Sequence, residues 1–299
     1  MTSREISNAR LRSQKVEATE FSTAREIVSW MGAMQAQDYS MAKWAIGSRL
    51  SDPSDQRIES SIDKGEIIRI HVLRPTWHFV SSDDVYWMLE LSAHKIKSSF
   101  KSRHKELGLT DSIITKTTGI IEKTMANGKS STRDELAKRY FTSRCPATLE
   151  DFVWWSNLSV SDARKAINHI KADFTSESIG TGKYLIPNSY SKPNPEKISV
   201  HFLPAYDEFL ISYKDRSSSL ALINNKRTVS DNGIFHPTIV VNGQVEGLWK
   251  RIIQKNKVII EMNLFQKYDL QVRKQIEKKA CQFGQFLEKE IEIIQKTKT

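Results

Sequence analysis

The feature that most constrains the fold is a pair of β-prone runs that directly follows three predicted helices. Residues 67–72 and 76–80 are rich in branched and aromatic side chains, which favour strands. The Leu73-Arg74-Pro75 segment between them favours a turn, so the two runs predict a β-hairpin. Three helices followed by a hairpin form the outline of a winged helix, in which a helix-turn-helix carries a β wing.

The three helices before this hairpin have signals of their own. Thr23 and Glu26 are spaced as a capping box, and apolar residues then recur at helical spacing as far as Met34. A second apolar helix begins near Met41. The third is predicted over 55–63, where isoleucines recur at helical spacing before a closing glycine.

A long basic helix is predicted after the hairpin, from Ser82 or Asp83 to about Lys105. Like charges at i, i+4 spacing repel one another, and a DNA backbone would compensate them through counterion release. A solvated helix face is an equally good interpretation. The candidate DNA contacts on this helix are Lys95, Lys97, Lys101 and Arg103.

The order of helices followed by a hairpin then recurs between 140 and 186. After a linker rich in Ser, Pro and Asn, the chain becomes β-rich, and Asn242-Gly243 between two β-prone runs is a strong hairpin signal. A basic amphipathic helix is predicted over 270–294. The sequence therefore predicts an α+β fold: tandem winged-helix domains followed by a small C-terminal β-barrel or curled sheet with a terminal helix. The predicted domains are 1–130, 131–190 and 191–299.

The charge of the chain indicates a polyanionic partner. Its net charge is +10 and its pI is about 9.4, for which nucleic acid is the default candidate, although a lysine-rich proteome would also produce a basic protein. The N-terminus lacks the apolar core of a secretion signal, and no apolar run approaches the length of a membrane span. Two cysteines form neither a disulfide framework nor a metal-binding pattern. We expect a cytoplasmic, nucleoid-associated protein without a membrane partner.

The densest group of polar side chains lies between the first two helices, in the segment 32–39, which we call the glutamine segment. If this segment is extended, Gln35 and Gln37 share one face. A carboxamide is no general base at neutral pH, but it can orient a water and stabilise developing positive charge. That suffices only when the leaving group departs easily, as an N-alkylated, cationic base does. The alternative is that both glutamines merely cap helix ends.

A resemblance to a known family favours the chemical interpretation. The glutamine segment and 42–47 resemble the QxQ segment of the AlkZ/YcaQ-like winged-helix DNA glycosylases, and 74–80 looks like the wing segment of that family. Further blocks are similar to the family in the same order: 146–155, 201–216 and 232–238. The chain is therefore identified as a member.

The resemblance implies tandem winged helices and a C-terminal β-barrel that together cradle DNA. It implies a DNA repair glycosylase that hydrolyses the N-glycosidic bond of N-alkylated purines of the N7-alkylguanine type, with unhooking of interstrand cross-links by some members. The catalytic glutamines of the family fall on Gln35 and Gln37. Some members have an Asp in the second position, where it would replace Gln37 and not Asp38.

One departure from the family pattern lies between Gly128 and Ala137. Members of the family have a further winged-helix segment here, whereas in this chain the neighbouring helix caps nearly abut. The chain therefore resembles a shortened member with two wings instead of three. The loss could narrow the DNA footprint, remove cross-link unhooking while sparing monoadducts, or leave a DNA binder without turnover.

The remaining expectations concern the surroundings of the glutamines. Arg74 is the best candidate for a phosphate or groove contact, and His78 could face DNA, although a strand histidine is the favoured interpretation. Candidate pocket residues are Asp38, Tyr39 and Trp77, of which Trp77 is more typical of a core.

We assign no chemical role to Asp207, Arg216 or His236. No catalytic lysine is evident near the glutamines, so we expect a monofunctional enzyme without cofactor or metal. Its partner would be double-stranded DNA, bound with weak sequence preference by a monomer. The alternative is a non-catalytic winged-helix DNA-binding protein or transcriptional regulator with a preferred operator and a dimeric state.

Overall fold

The computed structural model describes residues 1–74, 76–99, 101–110, 112, 113, 115, 133–191 and 198–295. Within these ranges, helices alternate with strands that form three separate sheets, so the α+β class is confirmed. None of the described helices has the length and apolar character needed to cross a membrane.

The N-terminal part follows the predicted order closely. Thr23 forms a complete capping box with Glu26, and the third predicted helix and both strands of the hairpin are present. Its elements are α1 (Ser3–Ser13), α2 (Ala24–Met31), β1 (Met34–Gln35), α3 (Tyr39–Gly47), α4 (Asp55–Asp63), β2 (Ile67–Val72) and β3 (Thr76–Ser81). Strand β1 joins the hairpin at the β3 edge, which makes a sheet in the order β1-β3-β2.

After this sheet, a 3-10 turn at Ser82–Asp84 leads into α5 (Val85–Ser99) and α6 (Lys101–Glu106), where the sequence predicted one long helix. The sequence also predicts a helix from Thr110 to Met125. That segment and the junction expected to be shortened lie largely outside the described residues.

The second unit also has the predicted order of helices and a hairpin. Its elements are α7 (Arg133–Ser143), β4 (Ala147–Thr148), α8 (Leu149–Ser156), α9 (Val160–Ile170), β5 (Phe174–Ile179) and β6 (Gly182–Pro187). Strand β4 pairs with β6, so the hairpin carries a short third strand, as in the first unit. The sequence predicts the start of the third helix of this unit near Ser161, whereas α9 is capped by Ser159, two residues earlier.

The C-terminal sheet is open, which corrects the expectation of a closed barrel. Its five strands run in the order β11-β10-β9-β8-β7, and the outer strands β7 and β11 do not pair with each other. The elements are β7 (Val200–Leu203), α10 (Glu208–Ile211), α11 (Asn225–Thr228), β8 (Thr238–Val241), β9 (Gln244–Ile253), β10 (Lys257–Leu264), α12 (Leu270–Phe286) and β11 (Glu290–Gln295). Helix α12 packs across this sheet, and its residues Ile276, Ala280 and Phe283 enter the core. The sheet therefore buries its apolar face against the helix and does not need to close into a barrel.

The predicted terminal helix over 270–294 is too long. Helix α12 ends at Phe286, and the chain then returns as β11, parallel to β10. Glu288 adopts a positive φ of 54° in the turn between them. The charged and apolar residues after 289 alternate, which suits an edge strand with one face on the helix better than another helical turn.

The cores do not follow the predicted domain boundaries. One cluster of buried side chains combines Ile27 and Trp44 of the N-terminal part with Ile239 and Phe283 of the C-terminal part. A second cluster joins β2 and α5 to the second unit. Helix α1 packs on the C-terminal part through Leu11. The described parts of the three predicted domains therefore share hydrophobic cores and stabilise one another.

Candidate active site

The glutamine segment is an extended edge of the first sheet. Helix α2 ends at Gly32, whose φ of 72° redirects the chain, and Gln35 then pairs with His78 on β3. Asp38 caps α3 by accepting the amide of Met41 at 3.0 Å. The helix caps on either side are thus Gly32 and Asp38, so the interpretation of the glutamines as caps is wrong.

The two glutamines differ in their surroundings. The side chain of Gln35 is buried, with 7% exposed, and its Oε1 accepts a hydrogen bond from the Thr76 hydroxyl at 3.3 Å. Gln37 is exposed to solvent. The amide of Ala36, between them, donates to the Trp77 carbonyl at 2.8 Å, which keeps the segment extended. One carboxamide is therefore fixed against the hairpin while the next stands at the surface.

A buried carboxylate lies behind this strand. Glu208 is 2% exposed, and its Oε1 accepts the backbone amide of Gln35 at 2.8 Å. Its other oxygen accepts Nη2 of Arg144 at 2.7 Å and Nε1 of Trp155 at 3.2 Å, together with the Ser212 hydroxyl. Burial would raise the pKa of Glu208, but Arg144 and these hydrogen bonds lower it to about 2.

Arg144 ties the same network to the chain before β1. It donates to the carbonyls of Met31 at 2.7 Å and Ala33 at 2.9 Å, and it is fully buried. Arg144 and Glu208 thus hold the backbone on both sides of Met34 from within the core. Sequence reasoning missed both residues, because a buried ion pair between segments 64 residues apart has no local pattern.

The expectation that His78 could contact DNA is corrected. His78 is fully buried, its Nδ1 donates to the Thr76 carbonyl at 2.9 Å, and its Nε2 has no hydrogen-bond partner in the described structure. Burial lowers the pKa of His78 to about 4, so the ring is neutral near pH 7. His78 is the register partner of Gln35, and both side chains are buried.

The candidate pocket residues are held by their own partners. Tyr39 donates to Glu59 at 2.7 Å, and burial with this carboxylate raises the pKa of its phenol. Trp77 is partly buried and stacks against His71, with ring centroids 4.1 Å apart. Asp38 lies 3.6 Å from Arg251 as well as capping α3. Asp38 and Tyr39 belong to the glutamine segment, and Trp77 packs against the hydrophobic core beside it.

The other candidate DNA contacts belong to the turn of the β2–β3 hairpin and to helices α5 and α6. Arg74 lies at the turn of the β2–β3 hairpin, half-buried, with its guanidinium carbon 5.5 Å from the centre of the Trp154 ring. Lys95 is exposed on α5 and donates to the carbonyl of Asn157. The side chains of the other candidates lie outside the described set: Lys97, Lys101 and Arg103.

Two adjacent carboxylates, Asp207 and Glu208, join the start of α10 to the N-terminal part of the chain. Asp207, to which the sequence assigned no role, caps α10 and forms a two-pronged ion pair with buried Arg49, at 2.8 and 2.9 Å. The next residue, Glu208, reaches the glutamine strand. Both carboxylates belong to the block 201–216. Their structural role becomes visible only when their long-range partners are known. Among the described residues, no group of three His, Cys, Asp or Glu side chains could hold a metal ion.

Comparison with known proteins agrees with this architecture. The family model described as "DNA glycosylase AlkZ-like" matches residues 28–127 and 109–286, which is most of the chain. The chain belongs to the AlkZ-like DNA glycosylase family. The solved structure of Streptomyces sahachiroi DNA glycosylase AlkZ superposes with a TM-score of 0.78 at 17% identity, and the match covers 98% of this chain and 100% of that one. At this identity the likeness shows a shared fold. No curated protein matches the sequence.

Proposed function

We propose that this AlkZ-like protein is a monofunctional DNA glycosylase that hydrolyses the N-glycosidic bond of cationic N-alkylated purines, of the N7-alkylguanine type. The observation that carries the proposal is the glutamine segment. Gln35 is fixed on a sheet edge by Glu208 and Thr76, and Gln37 is exposed two residues later on the same extended chain. The likeness in fold and family membership support the class of reaction.

In the proposed reaction, the two carboxamides hold a water molecule at C1′ of the damaged nucleotide. The water oxygen bonds to C1′ as the C1′–N9 bond breaks, and the bonding electrons neutralise the cationic purine. A proton of the attacking water passes to solvent. Carboxamides suffice for this task because the leaving group is already activated, so orientation and the carbonyl dipoles are the contribution required of the protein.

The first lysine after the glutamine segment in the sequence, Lys43, is unsuited to form a Schiff base. Lys43 Nζ is bound by Asp55 at 2.9 Å and by Glu59 at 2.7 Å. Burial would lower the pKa of Lys43, but the two carboxylates raise it, so the amine stays protonated and is a poor nucleophile. Water is therefore the proposed nucleophile, and the product is an abasic site in an unbroken strand.

The proposed substrate is double-stranded DNA, bound with weak sequence preference by a monomer. We propose that the two helix–hairpin units act as winged helices, with the net charge of +10 providing long-range attraction for the duplex. Nucleoid association would follow from this charge.

The proposal is tested with duplex DNA methylated at N7 of guanine. The protein should release free 7-methylguanine and leave an abasic site that breaks only after alkali. Strand breakage without alkali would contradict a monofunctional mechanism. A cross-linked duplex in parallel shows whether activity extends to unhooking. A protein that releases no base but prefers one operator sequence would be a regulator instead.

A further inference from the structure

Two arginines share one exposed tryptophan at the place where three parts of the chain meet. Arg74 belongs to the β2–β3 turn, Trp154 to α8, and Arg216 to the segment after α10. The guanidinium carbons lie 5.5 Å and 5.6 Å from the centre of the Trp154 ring, respectively. Because 41% of Trp154 is exposed, this cluster opens to solvent.

The cluster is held in place by the backbone. Nε1 of Trp154 donates to the Ile211 carbonyl at 3.1 Å, and Nε of Arg216 donates to the Leu210 carbonyl at 2.9 Å. Asn157, just after α8, donates to the carbonyl before Arg74 at 3.5 Å. The indole and the two arginines are therefore positioned before any ligand arrives.

Neither arginine has an anionic partner that matches its charge. Within the described residues, no carboxylate lies at ion-pair distance from Arg74 or Arg216, and Nε of Arg74 is buried without a hydrogen bond. Burial lowers the pKa of both guanidinium groups, and the charge of Arg74 lowers that of Arg216 further. The negative charges of Asp151 and Asp215 act in the opposite direction on the pKa of Arg216, and that of Glu208 does so on the pKa of Arg74. Two desolvated cations side by side are costly unless an anion joins them.

We propose that Arg74, Trp154 and Arg216 form a contact site for the sugar-phosphate backbone of DNA beside the glutamine segment. Guanidinium groups bind phosphate oxygens through paired N–H donors, and the exposed indole provides a flat surface against which a sugar or base can pack. The inference rests on the proposed function, since DNA is taken as the substrate.

The position of the cluster favours a DNA contact next to the glutamine segment over one remote from it. Thr76, two residues after Arg74 on the same hairpin, donates to the side chain of Gln35. A backbone held by Arg74 would therefore run next to the glutamines. Glu208, whose negative charge also acts on Arg74, holds the amide of Gln35 from the other side.

The test measures the affinity for a short undamaged duplex over a series of salt concentrations, using Arg74→Gln and Arg216→Gln. Each lost phosphate contact should reduce the slope of log Kd against log salt by about 1, and the double variant by about 2. Arg74→Lys keeps the charge but loses the fork, so it should keep the slope while binding more weakly.

Arg227→Gln is the matched control, because Arg227 is also half-buried and stacks on an aromatic ring, 4.1 Å from the centre of Phe265. It should leave the slope at the wild-type value. Circular dichroism verifies that each variant is folded. An unchanged slope in both Arg74→Gln and Arg216→Gln overturns the site, as does an equal fall in the control.

The affinity is measured on undamaged DNA and does not require base excision. The result therefore tests the phosphate contact site independently of the proposed glycosylase activity. A reduced slope in a protein that never releases a base would retain this site and reject the glycosylase. Base release by the wild type together with unchanged slopes would retain the glycosylase and reject the site.

Discussion

At the scale of the residue, some charges away from solvent form ion pairs that hold the fold together, and others have no carboxylate at ion-pair distance among the described residues. Glu208 and Arg144 satisfy each other inside the core. Arg74 is desolvated, and among the described residues no carboxylate lies at ion-pair distance from it. The resemblance in sequence found Gln35 and Gln37, but it could not find Glu208, whose role depends on a strand 173 residues away. Spacing identifies residues of the same segment, not those brought together by folding.

Arg74→Gln should stabilise the folded protein while weakening DNA binding. Removing a buried charge that has no partner removes a desolvation cost, and we expect a gain of roughly 1 kcal/mol in the free energy of unfolding. Thermal unfolding followed by circular dichroism measures it. A lower Tm for Arg74→Gln than for the wild type would show that Arg74 serves the fold.

Glu208→Gln should have the opposite effect. It leaves the buried Arg144 uncompensated, which costs about 3–5 kcal/mol when one partner of a buried pair is removed. The matched control is Glu135→Gln, which breaks the more exposed pair with Arg139 and should cost at most about 1 kcal/mol. Urea unfolding compares the two, and equal losses would contradict the role of Glu208.

Two buried histidines should make the fold sensitive to acid. Burial lowers the pKa of His78 to about 4 and that of His201 to about 3, from 6.5 in each case. Both stay neutral in the folded state, so their contribution is fully present above pH 6.5 and is lost as the pH falls from 6.5 towards 4. The free energy of unfolding should decrease by about 2.7 kcal/mol per pH unit in the lower part of this window.

His201→Asn provides the check on this pH dependence. The variant keeps one of the two histidines, so the slope attributed to them should fall by about half. Urea unfolding between pH 7 and pH 4.5 measures it. A variant with the wild-type slope would show that the acid sensitivity has another source.

At the scale of the element, local sequence signals predicted the hairpins. They did not predict those elements whose conformation is determined by tertiary packing. The turn at Asn242-Gly243 has positive φ at both residues, as the hairpin signal requires. Strand β1 is only two residues long and forms because β3 offers it an edge. The residues after Phe286 leave the helix because a strand can pair with β10 there, which no helical periodicity reveals.

Contact between α3 and α12 should make Gly47 intolerant of a side chain. A Cβ at this position would lie 2.7 Å from the ring of Phe286. Alanine favours a helix over glycine by about 1 kcal/mol, but overpacking costs about 1–3 kcal/mol, so Gly47→Ala should be destabilising overall. In a Phe286→Leu background, the same substitution should cost less, as measured by urea unfolding. The same cost in both backgrounds would rule out the contact as the cause.

At the scale of the whole molecule, shared cores should make the described parts unfold together. The second unit buries Tyr140 and Phe152 in the same cluster as Val72 and Trp87 of the N-terminal part. We expect a single thermal transition in which circular dichroism and tryptophan fluorescence coincide. Two separated transitions would show that the domain boundaries expected from the sequence are also boundaries of stability.

The α+β class and the family could be predicted from the sequence, whereas the way in which the parts of the chain share cores could not. Block order along 28–286 was sufficient for the family, because each block carries local motifs. The open C-terminal sheet depends on α12 covering it, a long-range contact that the barrel expectation did not include.

The most direct test of the central claim separates chemistry from binding at the glutamines. Single-turnover release of 7-methylguanine is measured with saturating protein for the wild type, Gln35→Ala and Gln37→Ala, alongside the Kd of each for the same duplex. We predict a rate lower by roughly 100-fold in each variant, the scale expected for loss of an oriented water or dipole, with Kd within about threefold of the wild type. Equal rates in all three proteins would contradict the account.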